Sequence, residues 1–378
     1  LIEEALAQDQ QIAVVVGREY ILTPGIYDSH IRRLLRDKRL VAIPSYVLEI
    51  ELDEEFDHIY WRNPHAILTL LNAIAHKNLH QRLKHPRLKA LFAQIEKNPA
   101  GKLLPVVQIS TFTCGPDSVI SHLAAEIMKK RPFLLIQSDA IIKELAHLEN
   151  RVNTYVRQLE LGLHEKLSLG GSETFEVKVL DELENKDALN PATDAIYIPT
   201  LADNRVLTSV LRGAGFTCID TYHTGYNLQA LVKRGRAYAG DAVCAPLAAV
   251  YGDLLWAMED FARRKQNDDP LVTGKTRLLY FNNKGTGPCR QGQYVEVHKL
   301  LAHQIRRKTK TDDDSSPMSA CGGSMQFLVA NESNGYNFGL PEWAQVRIYQ
   351  SAMLQGVLQD LRFTAVSACR NAEEYQRF

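Results

Sequence analysis

The sequence carries no excess of charge of either sign. Among its 378 residues, Lys and Arg together number 44 and Asp and Glu together number 44, so the formal net charge at pH 7 is zero. Proteins that attract nucleic acid or an anionic membrane over long range carry a surplus of basic residues. We therefore expect neither nucleic acid nor a membrane among the partners of this chain.

Long apolar runs and close cysteine pairs are also missing. No run reaches the roughly 18 to 20 apolar residues that cross a bilayer, and no charged segment followed by an apolar stretch opens the chain. A cytoplasmic location is therefore predicted. None of the cysteines forms the C-x-x-C pair of a zinc ribbon, and a large cytoplasmic chain holds its cysteines as thiols. There are six, at positions 114, 218, 244, 289, 321 and 369.

Motifs for nucleotide binding and zinc proteolysis are absent as well. The sequence contains no G-x-x-x-x-G-K-[ST] loop and no G-x-G-x-x-G after a strand. His76 and His80 have helical spacing, but the segment HKNLH lacks the Glu of the H-E-x-x-H motif. Any chemistry that requires ATP would therefore take place on a partner protein.

Apolar strands alternate with helical segments through both halves of the chain. The strands are near-continuous apolar runs, typical of buried parallel strands. We predict them at residues 11–17, 39–44, 104–109, 132–138, 194–200, 216–221, 276–282 and 325–331. This pattern indicates an α/β fold with two Rossmann-like domains, each a doubly wound and mainly parallel sheet.

A break at Gly170 and Gly171 separates the two halves. We place the first domain at residues 1–170, which includes Cys114. The second domain then spans 171–378 and includes Cys244 and Cys289.

Those three cysteines share one local pattern. Cys114, Cys244 and Cys289 each follow an extended segment and directly precede a helix, and Pro116 and Pro246 open two of these helices. The loops after parallel strands meet at the carboxyl edge of a sheet, so the thiols can converge there. A helix N-terminus also stabilises a thiolate, the form that binds metal. We expect these residues to hold an iron-sulfur cluster at the interface of the two domains.

Several neighbouring residues are candidates to support such a cluster. Gly115 would let backbone amides approach the cluster's sulfur atoms, and Asp117 and Arg290 adjoin predicted ligands. Arg18 follows the first strand and would lie at the same edge. Helix-end electrostatics explains Asp117 equally well, and Arg18 has a structural strand-end role as its alternative.

Three further cysteines complete the set. Cys321, in the segment SACGGS, is the candidate for a fourth ligand. Cys218 alternates with apolar residues and is predicted to be a core residue, and Cys369, near the chain end, is predicted to have no functional role.

Four segments, in order, resemble large proteins that are related to 2-hydroxyacyl-CoA dehydratases and fused to their ATP-dependent activators. FTCGPDSV resembles an FGCGPD-type segment, and VVVGREY with the residues after it resembles a strand followed by GRPYH. GDAVCAPL is similar to ND-x-CYP, and TGPCRQGQY to GPCR. The resemblance covers about residues 10 to 360. Glu19 replaces the family's Pro and Ala245 its aromatic residue, and RQGQY differs from the commoner R-x-x-NY, which allows a changed substrate or partner.

The resemblance implies a 4Fe-4S cubane with three cysteine ligands, either single or as a linked double cubane across a dimer. It also implies a partner, an ATP-hydrolysing activator protein or fused activator domain, that supplies low-potential electrons. A homodimer or related subunit and a small-molecule or CoA-ester substrate would complete the system. The expected activity is that of an ATP-dependent reductase or a dehydratase-like lyase.

Two other interpretations remain at this point. The chain could be a non-catalytic scaffold that docks an activator. It could also be a metal-free α/β domain that binds a CoA ester or nucleotide in the crevice at the strand ends.

Overall fold

A computed structural model gives the fold of the chain. Cys114, Cys369 and the predicted domain boundary lie outside the residues that the structure describes. The described ranges are 1–23, 29–97, 103–111, 115–138, 146–163, 175–199, 204–221, 227–239, 243–287, 289–311, 324–332 and 334–368, with residues 321 and 373.

All of the predicted strands are confirmed, with ends that shift by one or two residues. The described residues form β1 (Gln11–Val16), β2 (Leu40–Pro44), β3 (Val106–Thr111), β4 (Phe133–Ser138), β5 (Asp194–Ile198), β6 (Thr217–Asp220), β7 (Arg277–Asn283) and β8 (Met325–Ala330). Their apolar runs are buried, as strands covered by helices on both faces must be, except in the edge strands β2 and β4, where several residues are only half-buried.

Helices connect these strands. In the described ranges they are α1 (Ile2–Ala7), α2 (Glu19–Leu22), α3 (Ile31–Asp37), α4 (Arg62–Ala75), α5 (Leu79–Arg82), α6 (Pro86–Lys97), α7 (Gly115–Ile127), α8 (Ala146–Glu160), α9 (Arg205–Gly213), α10 (Leu228–Ala239), α11 (Ala245–Gln266), α12 (Tyr294–Thr311) and α13 (Glu342–Ala368). No helix among them is both long enough and apolar enough to span a bilayer.

The two sheets have the same topology. Each has four parallel strands, in the order β2-β1-β3-β4 and β6-β5-β7-β8. In the first sheet the chain runs from β1 to β2 on one side of β1, and then returns to form β3 on the other side. The second sheet repeats this with β5, β6 and β7, so the connections diverge between the first and third strands of each sheet. Such a switch point leaves a crevice at the carboxyl ends of the strands. The prediction of two Rossmann-like α/β domains is therefore confirmed.

The chain divides into two compact units. One comprises Leu1–Val179 and Gly240–Cys244, and the other comprises Leu180–Ala239 and Ala245–Phe378. The predicted boundary between residues 170 and 171 lies outside the described ranges and stays a prediction. We predicted Cys244 in the second domain, whereas this division groups it with the first unit.

In the second unit, helices α10 and α11 cross at very short range. A Cβ atom on Gly235 would lie 1.8 Å from the carbonyl oxygen of Ala248, and one on Gly252 would lie 2.1 Å from that of Leu231. Only glycine permits two helix backbones to approach so closely. This contact fixes how the pair of helices packs.

Polar contacts orient α11 against the second sheet. The hydroxyls of Tyr197 in β5 and Tyr280 in β7 donate to Asp260 and Asp253 at 2.9 Å. After α11, the carbonyl of Leu271 accepts from Thr217, the first residue of β6. The helix therefore ends at the amino edge of the sheet. Because its 22 residues extend about 33 Å, it begins towards the carboxyl edge.

Candidate functional site

Cys289 lies in the connection that follows β7. The strand pairing continues one residue beyond β7, since the amide of Lys284 donates to the carbonyl of Ala330 at 2.8 Å. Cys289 is exposed and caps a short 3-10 helix, Arg290–Gln293, which leads directly into α12. Cys289 therefore stands after a strand and at a helix start, as predicted, and its thiol is exposed.

The loop that holds Cys289 is closed by backbone contacts to Gly292. The amide of Gly285 donates to the carbonyl of Gly292, and the amide of Gly292 donates to the carbonyl of Cys289, both at 3.2 Å. A Cβ on Gly292 would lie 2.6 Å from the carbonyl oxygen of Gly285, so this position requires glycine. Among the described residues, no atom lies within 4 Å of a Cβ placed on Gly285 or Gly287.

Charged residues surround the base of this loop. Lys284 pairs with Glu296 at 2.9 Å, and the buried Lys299 pairs with Glu184 at 2.8 Å. Arg290 is half-buried beside Cys289 and forms no ion pair within the part of the chain that the structure describes.

Cys244 lies between α10 and α11. It is half-buried and stands directly before Ala245, where α11 begins, so its predicted position at a helix start is confirmed. The short extended segment that we expect before it falls mostly on residues 240–242, outside the described ranges, and stays a prediction. The orientation of α11 places its first residues towards the carboxyl edge of the second sheet.

Cys114 lies outside the described residues, but its surroundings are partly described. β3 ends at Thr111 and α7 begins at Gly115, so this cysteine stands in a strand-to-helix connection. Asp117, in the first turn of α7, is buried and accepts from Arg18 Nε at 3.0 Å. The structure therefore brings two predicted supporting residues together, at the switch point between β1 and β3.

Cys321 has the environment of a core thiol. It is 4% exposed, its Sγ donates to the carbonyl of Met258, and burial raises the pKa of the thiol to about 12. A ligand to iron must be a thiolate, so this setting does not favour a fourth ligand. Cys218, in β6, is also buried with its pKa raised to about 12, which confirms it as a core residue.

Sequence reasoning missed a buried histidine beneath β7. His298 in α12 shares a hydrogen bond with Asn282 Oδ1 at 2.8 Å, and its ring lies near those of Tyr251, Tyr280 and Phe327. Burial lowers the pKa of His298 to about 3, so the imidazole is neutral at physiological pH. The sequence contains two signs of this buried histidine. Asn282 is a polar residue near the end of β7, and His298 lies on the apolar face of α12.

No known protein family, curated protein or solved structure matches this chain. Within the described ranges, no group of three His, Cys, Asp or Glu side chains is placed to hold a metal ion. Cys114 lies outside those ranges. The geometry of the individual residues is therefore the basis for a functional proposal. It offers two accessible thiols at helix starts, and two buried thiols that are unsuited to metal binding.

Proposed function

We propose that this chain is the iron-sulfur redox component of a system similar to the 2-hydroxyacyl-CoA dehydratases, with Cys114, Cys244 and Cys289 as the thiolate ligands. The observation that carries the proposal is the repeated topology of the sheets. Cys289 follows β7, the third strand of its unit, and Cys114 follows β3, the third strand of the other. Both thus adjoin a switch point, where α/β proteins bind their ligands.

The local environments of the cysteines support a ligand role for the proposed set and a core role for Cys218 and Cys321. Cys289 is exposed and Cys244 half-buried, and each directly precedes a helix. Cys218 and Cys321 are buried in the core as neutral thiols. The donor set therefore fits a cluster held by three thiolates. When bound, such a cluster supplies one-electron transfer at low potential.

Positive residues next to Cys289 would act on the redox potential. Arg290 adjoins the thiol in sequence, and Lys284 holds the start of the loop through Glu296. A nearby cation stabilises added negative charge, so Arg290 would favour the reduced state. The closed loop around Gly292 would keep the thiol in a fixed position.

The source of electrons in this proposal is an ATP-hydrolysing activator. The sequence has no phosphate-binding loop, so ATP would be hydrolysed on the partner. The substrate would be a small molecule or a CoA ester that is reduced or dehydrated.

Anaerobic reconstitution with iron and sulfide tests the ligand set. We expect brown protein with about four irons per chain, and loss of the colour when Cys114, Cys244 and Cys289 are all replaced by Ala. The matched control is the Cys218→Ala, Cys321→Ala double variant, which should keep the absorbance. Colourless wild-type protein with less than about one iron per chain would overturn the proposal.

A second measurement separates a catalyst from a scaffold. With the cluster in place, an activator and ATP should reduce it, as followed by loss of visible absorbance, and ADP should not. An intact cluster that no activator reduces in the presence of ATP would favour the scaffold interpretation instead.

A further inference from the structure

The second unit contains a cavity that the proposed cluster site does not use. Its volume is about 310 Å³, and it lies between α9, α13 and the carboxyl ends of β7 and β8. Pockets for small molecules begin at about this size, whereas ordinary packing voids are rarely larger than a water molecule. The carboxyl ends of parallel strands are also where α/β folds bind ligands. Both its size and its position suggest a binding site.

The lining of the cavity is aromatic, apolar and uncharged. Phe281 and Phe338 pack with their ring centroids 5.5 Å apart, and Tyr336 and Tyr349 add two phenol rings. Amide groups from Asn283 and other lining residues supply neutral hydrogen-bonding atoms. Among the described residues that line the cavity there is no Asp, Glu, Lys, Arg or His.

This composition defines the class of ligand. A phosphate or carboxylate group needs a cation or several aligned amides to offset its loss of water. The lining offers no cation, so a nucleotide would leave its phosphates without a charged partner. The edge-on pair of Phe281 and Phe338, with two further aromatic rings, instead favours a planar, uncharged ring.

Tyr336 gives a second, independent observation. It adopts a left-handed backbone conformation with φ of 55°, which is unfavourable for a large side chain. Asn or Gly would fit that turn with less strain. Strain of this kind concentrates at binding sites, where the side chain is needed. Tyr336 is 46% exposed, so its ring lies at the rim of the cavity and not in the core.

We infer that this cavity binds an uncharged, largely apolar ring compound that carries a neutral hydrogen-bonding group such as an amide. No cysteine lines the cavity within the described residues, so binding requires no iron-sulfur cluster. The inference is therefore independent of the proposed redox function, and a test of one does not decide the other.

Two probes of the same shape test the ligand class. They are 2-naphthamide and 2-naphthoate, which share a ring system and differ in charge at neutral pH. Titration calorimetry of the full chain without cluster should show saturable binding of 2-naphthamide, and binding of 2-naphthoate at least about tenfold weaker. Equal affinities, or no binding of 2-naphthamide at about millimolar concentration, would overturn the inference.

Substitutions on α13 test the location. Ala352 lines the cavity and is exposed, so Ala352→Trp should fill the cavity without disturbing the core and weaken 2-naphthamide binding at least about tenfold. Met353→Trp, at the neighbouring position that is 75% exposed, is the matched control and should bind like the wild type. Equal loss in both variants, or none in Ala352→Trp, would contradict the assigned site.

The strained tyrosine provides a third variant. Tyr336→Asn should not lower the unfolding midpoint, because Asn tolerates the left-handed conformation, yet it should weaken 2-naphthamide binding at least about threefold. Unchanged binding in this variant would show that Tyr336 is not part of the site.

Discussion

Arg18 and Asp117 form an ion pair that joins two elements 99 residues apart in the sequence. Arg18 Nε donates to Asp117 Oδ1 at 3.0 Å, linking the segment after β1 to the first turn of α7. The carboxylate is 1% exposed, whereas the arginine side chain keeps partial access to water. The pair holds the two chain segments that flank the switch point of the first sheet.

Loss of this pair should lower the stability of the first unit. For Arg18→Met, which retains the apolar stem, we expect the free energy of unfolding to fall by about 2 kcal/mol, since a buried carboxylate loses a charge-assisted hydrogen bond. Urea unfolding followed by circular dichroism measures this change. Arg157→Met is the control, because Arg157 and its partner Glu160 are both more than half exposed. Its cost should be within about 0.5 kcal/mol, and equal costs in the two variants would contradict the burial argument.

The glycines at the α10 and α11 crossing should tolerate no side chain. We expect Gly235→Ala to reduce the free energy of unfolding by about 3 kcal/mol or more, because the added methyl group would overlap the carbonyl of Ala248. Gly356→Ala on α13, where no atom of the described residues lies within 4 Å of a new Cβ, should instead stabilise the helix by about 0.5 to 1 kcal/mol. Thermal and urea unfolding of both variants would test the contrast, and a neutral Gly235→Ala would disprove the close approach.

The buried His298 should make the stability of the second unit depend on pH. Its pKa is lowered to about 3 in the folded chain, whereas an unfolded histidine titrates near 6.5. Between these values the unfolded chain binds more protons, so the free energy of unfolding falls as the pH drops below about 6.5. The contribution of this one group is at most about 1.4 kcal/mol per pH unit. Above pH 6.5 or so this contribution to stability is fully present.

Comparison with a variant isolates that contribution. His298→Gln should be less stable at neutral pH, since it loses ring packing, but its stability should decline less steeply on acidification. Urea unfolding at about pH 7, 6 and 5 measures both slopes. His85→Gln, at an exposed position, is the control for removing an imidazole. Parallel slopes for wild type and His298→Gln would show that His298 does not remain neutral in the folded chain.

The thiols should differ in their rates of alkylation. In the apo protein at about pH 7.5, iodoacetamide should modify Cys289 first and Cys244 more slowly, because the first is exposed and the second half-buried. Cys218 and Cys321 should react only after unfolding, since burial excludes the reagent and raises their pKa to about 12. Peptide mass spectrometry over time measures the order. Early modification of Cys321 would contradict its assignment to the core.

Much of the fold was predictable from local pattern. Ile12–Val16 in β1 and Leu278–Phe281 in β7 are continuously apolar, which distinguishes buried parallel strands from the alternating pattern of exposed ones. The connections after β3 and β7 were predictable as well, because a turn and a helix start follow each strand directly. The extended segment predicted before Cys244 falls mostly on residues outside the described ranges, so it stays a prediction.

The sequence by itself determined the strands, their parallel association in two α/β units, and the helix-start positions of Cys244 and Cys289, because each depends on periodicity and capping within a few residues. Only the tertiary structure decided that Arg18 reaches Asp117, that Gly235 meets Ala248 and that Cys321 is buried beside Met258. It also decided that aromatic side chains from β7, from α13 and from the segment before α13 line one cavity. These relationships join residues distant in the chain, and no local propensity specifies which distant partner will pack against a given side chain.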